Sequence, residues 1–198
     1  MITSSPTLDN VKISNHAFGG GSGGGIYASS SSGNWNNVRI KNNQSGEAGG
    51  GVYLFDSEIT ITYSTISNNN VGGAAKGGGV FVHGGELSID NSIISDNTAT
   101  EGGGIYTIAG NPLFENVLIA GNYAINGAGV YIANGNPLFT NATIAYNLGP
   151  GATKKWLQAG GTIDELVKIQ SSDGRPVGQA ALEYIQKAYG PDIINRLS

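Results

Sequence analysis

The stretch Gly102-Gly103-Gly104-Ile105-Tyr106 is the clearest pattern in the chain, because four other stretches repeat it. The copies are Gly23-Gly24-Gly25-Ile26-Tyr27, Gly49-Gly50-Gly51-Val52-Tyr53, Gly77-Gly78-Gly79-Val80-Phe81 and Gly127-Ala128-Gly129-Val130-Tyr131. The aliphatic residues of successive copies are separated by 26, 28, 25 and 25 residues. A repeat period of about 20–50 residues is typical of architectures in which similar units stack on one another. The sequence therefore predicts a solenoid.

A second signature precedes the glycine runs and reads Ile-x-x-Asn, with histidine replacing asparagine in the first copy. The pairs are Ile13 with His16, Ile40 with Asn43, Ile66 with Asn69, Ile94 with Asn97, Ile119 with Asn122 and Ile144 with Asn147. Five positions before these isoleucines lie Leu8, Trp35, Ile61, Ile89, Phe114 and Phe139. Six copies of the repeat therefore align.

Short runs such as Val117-Leu118-Ile119 are typical of strands, because they are too short and too β-branched for helices. A circuit of about 25 residues can close around an apolar interior, and successive circuits pair in parallel about 4.8 Å apart. The handedness rule for parallel crossovers favours a right-handed coil. The prediction is an all-β fold, a right-handed single-stranded parallel β-helix of about six coils over residues 1–148.

An asparagine column and a glycine column fit the corners of such a coil. Asparagine amides stacked at one corner can bond to each other and to turn backbone, and asparagine tolerates the left-handed conformation. Glycine suits another corner, where positive φ or a close approach between coils leaves no space for a β-carbon.

These motifs resemble the repeats of the polymorphic outer-membrane proteins, whose paired signatures are Gly-Gly-Ala-Ile and Phe-x-x-Asn. In this chain glycine usually stands in the alanine position and isoleucine in the phenylalanine position, over about residues 7–148. The resemblance implies a parallel β-helix. It also implies an exported bacterial surface protein, of the adhesin or autotransporter-passenger type.

Strand alternation predicts an aromatic column on the outer face of the coils. The aliphatic residue after each glycine run should point inward, so the next residue should point outward. The column consists of Tyr27, Tyr53, Phe81, Tyr106 and Tyr131. Such a stripe could stack on sugar rings or seat a protein partner, and it is the predicted binding site. Alternatively, it stabilises the parallel strands by itself or lies under a loop.

A catalytic alternative is a carbohydrate-active enzyme, either a polysaccharide lyase or a hydrolase. One outward column reads Asp9, Asn36, Thr62, Asp90, Glu115 and Thr140. Asp90 and Glu115 should thus lie on adjacent coils about 5 Å apart, and they are the candidate catalytic pair. Two solvated surface carboxylates is the simpler interpretation. Similarly, His16 is better suited to capping the asparagine column than to catalysis.

Composition excludes several functions. The net charge of −4 provides no electrostatic footprint for nucleic acid. The absence of cysteine excludes disulfides and thiolate metal sites and is compatible with export. No apolar stretch approaches the roughly 20 residues that span a bilayer. No motif for a metal or a cofactor is present, so we predict none.

The repeat ends at Leu148, and residues 149–198 have a helical pattern. Thr162-Ile163-Asp164-Glu165 resembles a capping box, and Pro176 leads a second amphipathic stretch. About 50 residues without a disulfide or a metal are marginal as an independent fold. This tail is predicted to cap the last coil, or to mediate homo-oligomerisation or partner docking through residues 152–198; an unrelated fusion is the third option.

The sequence favours a non-catalytic, secreted or surface-exposed β-helix that acts as a rigid scaffold for binding a carbohydrate or a protein. The carbohydrate-active enzyme is one alternative. The other is an assembly subunit that associates with itself through its tail.

Overall fold

The computed structural model describes residues 4–147 and 149, and all regular secondary structure in this part of the chain is β-strand. The first nine strands are β1 (Leu8–Asp9), β2 (Lys12–Ser14), β3 (Ile26–Ser29), β4 (Ser32–Asn36), β5 (Arg39–Lys41), β6 (Gln44–Ser45), β7 (Val52–Thr62), β8 (Thr65–Ser67) and β9 (Asn70–Val71). The other eight are β10 (Val80–Asp90), β11 (Ile93–Ser95), β12 (Ile105–Ala109), β13 (Leu113–Glu115), β14 (Leu118–Ala120), β15 (Val130–Ile132), β16 (Leu138–Thr140) and β17 (Thr143–Ala145).

The strands form three parallel sheets, each built by stacking equivalent strands of successive coils. Sheet A has the order β1-β4-β7-β10-β12-β15. In the same sheet, β3 pairs with β7, β13 pairs with β10, and β16 pairs with β13. Sheet B has the order β17-β14-β11-β8-β5-β2, and the two-stranded sheet C pairs β6 with β9. Sheet B contains one strand from each repeat copy, so its six strands span five complete turns. The predicted single-stranded parallel solenoid is confirmed.

The register between coils follows the columns of the sequence alignment. Trp35 lies opposite Ile61, Ile61 opposite Ile89, and Ile89 opposite Phe114. All four side chains are buried in the main core. β-Branched residues suit these positions because their side chains pack well against neighbours on a pleated surface. The interior is therefore a continuous apolar column running along the solenoid.

The predicted asparagine ladder is present and buried. The side chain of Asn69 donates from Nδ2 to Oδ1 of Asn97 at 3.0 Å and to the carbonyl oxygen of Ile40 at 3.0 Å. Oδ1 of Asn97 also accepts a hydrogen bond from the backbone N–H of Asn69 at 2.9 Å. The same pattern links Asn43 to Asn69, Asn97 to Asn122, and Asn122 to Asn147. At the first coil, the backbone N–H of His16 donates to Asn43 Oδ1, while the His16 side chain is exposed.

Exposed or half-buried asparagines mark the corners between sheets A and B. Asn10, Asn37, Asn91, Asn116 and Asn141 have φ between 47° and 57°. Asparagine adopts this left-handed conformation more readily than most residues because its short side chain bonds locally. In the third copy Tyr63 holds the same corner with φ 50°. The left-handed conformation predicted for asparagine thus occurs at this corner, whereas ladder residues such as Asn97 do not have positive φ. The structure therefore divides the two predicted roles between two columns.

The predicted helical tail cannot be compared with the structure. Apart from Gly149, residues 149–198 lie outside the described residues, and so does the predicted boundary at Leu148.

Candidate functional site

The aromatic column forms a stacked ladder. Neighbouring ring centroids are 5.0 Å apart for Tyr27 and Tyr53, 4.9 Å for Tyr53 and Phe81, 5.2 Å for Phe81 and Tyr106, and 5.0 Å for Tyr106 and Tyr131. Interplanar angles between these rings are 3–5°. All of these rings except Tyr27 form a second cluster with Ala48 and Ile108, separate from the main core. The ladder thus lies on the outer side of its strands, as alternation predicts.

Access to the ladder differs along its length. Tyr27 is 58% exposed, whereas Phe81 and Tyr106 are only 7% and 2% exposed. The ammonium group of Lys76 lies 5.0 Å from the centroid of the Tyr106 ring and donates a hydrogen bond to its hydroxyl at 3.2 Å. Its other partner is Glu101, at 3.6 Å. The middle of the predicted binding stripe is therefore covered by the chain itself, Tyr53 and Tyr131 are half-buried, and only Tyr27 is fully open. Ligand binding by the stripe stays a prediction.

Two pKa shifts follow from this packing. The hydrogen bond to Tyr106 is the main cause of the raised pKa of Lys76, with smaller contributions from the charges of Tyr106 and Glu101. Burial raises the pKa of Tyr53, and Tyr27 and Glu47 add to this effect. Neither shift favours a reactive form at neutral pH, since the lysine stays charged and the tyrosine stays neutral.

The two candidate catalytic carboxylates lie opposite each other in neighbouring strands, as predicted. However, each oxygen of Asp90 already accepts a hydrogen bond, one from Asn91 Nδ2 at 2.7 Å and one from Asn116 Nδ2 at 3.0 Å. These donors belong to the asparagine corner between the sheets. The Asp90 carboxylate thus acts as an acceptor that fixes the corner, and the same is true of Asp9, which accepts from Asn36 at 2.8 Å.

The two histidines lie in different columns. His83 packs edge-on against Phe55, with centroids 4.8 Å apart and an interplanar angle of 74°. His16 opens the asparagine ladder through its backbone. Among the described residues, no group of three or more histidine, cysteine or acidic side chains could hold a metal ion. In the same part of the chain, no helix is long and apolar enough to cross a membrane.

A groove of about 650 Å³ runs along the outer face of sheet A, at right angles to the strands. It is lined mainly by two columns of outward side chains from five successive coils. The first column contains Ser5, Ser32, Glu58, Glu86 and Asn111, and the second contains Thr7, Asn34, Thr60, Ser88 and Leu113. The strand register places Ser32 opposite Glu58, and Glu58 opposite Glu86.

This groove was not predicted from the sequence. The repeat signatures drew attention to positions that stay the same from copy to copy, whereas the groove columns change at each coil. A signal was nevertheless available, because Glu58 and Glu86 each lie three positions before an aligned isoleucine, Ile61 and Ile89. The alignment therefore already placed the two glutamates on adjacent coils.

Comparison with known proteins agrees with the geometry. The family model described as the right-handed β-helix region matches residues 24–154, about two thirds of the chain. Comparisons with curated proteins and with solved structures found no match. The stacked parallel strands, the inward aliphatic columns and this match together show that the chain belongs to the right-handed β-helix family.

Proposed function

We propose that the chain is a non-catalytic binding scaffold of a secreted or surface-exposed bacterial protein. The observation that carries this proposal is the groove on sheet A, to which five coils contribute side chains in fixed register. Backbone hydrogen bonds between coils and the buried asparagine ladder hold these side chains in place. A preformed surface of this kind lowers the entropic cost of binding an extended ligand.

The surroundings of Asp90, one of the two predicted catalytic carboxylates, support binding over catalysis at that pair. A glycosidase needs two carboxylates at a set separation, with one free to move a proton. Asp90 has both oxygens engaged by corner asparagines. Lys12 and Arg39 are the first two residues of a column on sheet B. The later coils have Thr65, Ile93 and Leu118 in that column, so the two basic residues lie at least two coils from Asp90 and Glu115.

The export part of the proposal rests on composition and on resemblance. The chain has no cysteine, so its stability is independent of redox compartment. Its repeat signatures resemble those of outer-membrane protein repeats, which are displayed at cell surfaces.

The proposal is tested by screening the full chain on arrays of oligosaccharides and peptides, with mass analysis of each recovered ligand. We expect at least one ligand to bind and to be recovered with unchanged mass. Thr60→Trp, which fills the groove, should abolish that binding. Thr65→Trp is the matched control, because Thr65 points outward from sheet B.

Two results would contradict the scaffold proposal. The first is a chain that binds nothing on either array. The second is conversion of an oligosaccharide that is lost in Asp90→Asn and Glu115→Gln, which would favour the carbohydrate-active alternative.

A further inference from the structure

The groove has a specific charge pattern. Glu58 and Glu86 face each other across neighbouring strands β7 and β10, and both are exposed. In the described part of the chain, neither carboxylate has an ion pair or a hydrogen-bond donor. Like charges directly opposite in a sheet destabilise the pairing. From this pattern we propose that the groove binds an extended basic peptide segment; this inference rests on the proposed scaffold function.

The protein supplies no counter-charge for these glutamates from its described residues. Lys12, Arg39 and Lys41 lie on strands β2 and β5 of sheet B, and Lys76 pairs with Glu101. By contrast, the outward carboxylates of Asp9 and Asp90 are held by asparagine amides. Unlike Asp9 and Asp90, the two groove glutamates are therefore available to an external cation, and an arginine guanidinium could bridge both because it presents several donors in a planar fork.

The dimensions of the groove suit an extended segment rather than a single ion. Five coils spaced by about 4.8 Å span roughly 19 Å. An extended peptide covers that distance with about six residues at roughly 3.3 Å each. Hydroxyl and amide side chains along the groove can hydrogen-bond the peptide backbone, as Ser32, Asn34, Thr60 and Ser88 all line it.

The ends of the groove differ in chemistry, which gives the segment a preferred sequence. Beyond Glu86, the lining continues with Asn111 and Leu113, so an apolar side chain is favoured there. Before Glu58, the lining is Ser32 and Asn34, so a small polar side chain is favoured. A neutral oligosaccharide could bond to the hydroxyls but would leave the repulsion between the two carboxylates in place.

The test is fluorescence anisotropy of terminally blocked hexapeptides with the full chain at low salt. One peptide carries two arginines among threonines and a terminal leucine, and its analogue carries glutamines instead. We expect the arginine peptide to bind at least tenfold more tightly than the glutamine analogue. Raising the salt to about 0.5 M should weaken it strongly, since exposed charges are screened.

Variants locate the interaction. The double variant Glu58→Gln, Glu86→Gln should bind the arginine peptide at least tenfold more weakly, with an unchanged circular dichroism spectrum. Glu47→Gln removes one exposed carboxylate outside the groove and should leave the affinity unchanged. Equal binding of the two peptides, or equal weakening by Glu47→Gln, would overturn the inference.

Further outcomes separate this inference from the scaffold proposal. Failure of the arginine peptide to bind overturns the inference alone. The inference alone is also overturned if a neutral oligosaccharide binds, Thr60→Trp abolishes that binding, and the arginine peptide does not bind. The array screen judges the scaffold proposal independently.

Discussion

Asparagine serves two corners in most coils, for different physical reasons. At the corner between sheets A and B, asparagines are used because they adopt positive φ, as Asn91 does at 47°. At the buried corner, Asn97 is used because its amide has both a donor and an acceptor. The amide therefore satisfies two coils at once, because its oxygen accepts while its NH2 group donates; only glutamine, which is one methylene longer, has the same amide.

We predict that Asn97→Ala strongly destabilises the protein. The change leaves the backbone N–H and Nδ2 of Asn69 without their acceptor and the carbonyl oxygen of Ile66 without its donor. Each buried polar group left unpaired costs about 1–3 kcal/mol, so the free energy of unfolding should fall by about 3 kcal/mol or more. Chemical denaturation measures the loss. Asn111→Ala, at an exposed position in the groove, is the control and should change stability by less than about 0.5 kcal/mol.

A second residue-scale prediction concerns Asp96, which holds the corner that Asn15, Asn42 and Asn68 hold in other coils. Asp96 is exposed over part of its surface, but partial burial still raises the pKa of its carboxyl. The adjacent Ser95 hydroxyl, whose geometry falls short of a hydrogen bond, offsets only part of that rise. The pKa of this carboxyl is higher in the folded state than in the unfolded state. Its contribution to the free energy of unfolding is therefore most favourable below the unfolded pKa and is lost as pH rises through the folded pKa. Asp96→Asn should therefore stabilise the protein at pH 7, by a few tenths of a kcal/mol to about 1 kcal/mol, and much less at pH 3.

Thermal denaturation at the two pH values measures this difference. Asp56→Asn is the matched control, since Asp56 is likewise an exposed aspartate at positive φ, with φ 44° against 55° for Asp96. A gain from Asp96→Asn that is the same at pH 3 and pH 7 would show that charge burial is not its cause.

At the scale of the element, the three glycines that precede an aromatic ladder strand such as β12 have different roles. Gly102 has φ 63°, a conformation that other residues rarely adopt. A β-carbon on Gly103 would lie 2.5 Å from the carbonyl oxygens of Ala128 and Tyr123, and one on Gly104 would lie 3.0 Å from the ladder amide of Asn122. The glycine run is thus one residue in the left-handed conformation followed by two positions of close contact between coils. This explains why it always precedes the strand that carries the aromatic ladder.

We predict that Gly103→Ala destabilises the protein by about 1–3 kcal/mol, because the added methyl group forces backbone atoms of two segments apart. Gly72→Ala is the control, since its β-carbon would have no neighbour closer than 3.9 Å and its φ is not positive. Urea denaturation of both variants provides the comparison. Similar losses in both would mean that backbone entropy, rather than crowding between coils, limits the substitution.

The sequence predicts the strands and their register because the inward positions allow few alternatives. Isoleucines such as Ile66 and Ile94 lie opposite each other, and the ladder asparagines recur beside them. Outward positions carry less information, since solvent tolerates many side chains there. For example, Tyr106 is buried against Lys76 of a glycine-rich segment, whose packing is not encoded in the strand alternation. The groove was missed for the same reason.

At the scale of the whole described chain, stability is shared between neighbouring coils. In a solenoid each repeat contacts only its neighbours, so the total is roughly a sum of repeat and interface terms. The stacking of Phe114 on Phe139 inside the core, with centroids 4.8 Å apart, and the outer aromatic ladder are both interfaces of this kind. Loss of one complete coil should then leave the remaining coils able to stack, provided that the register survives.

The last prediction tests this additivity by deleting one coil from within a strand. Removal of residues 82–106 joins Phe81 to Thr107, which takes the inward position of Val82 that it faces in the native register. Removal of residues 82–105 instead joins Phe81 to Tyr106, which would turn every following side chain of the strand to the opposite face. We expect the first deletion to keep a β-sheet circular dichroism spectrum and a single cooperative thermal transition at a moderately lower temperature. The second deletion removes only one residue fewer, but that protein should lose the cooperative transition and become sensitive to protease. Equal behaviour of the two would mean that stacking of whole columns does not determine the fold.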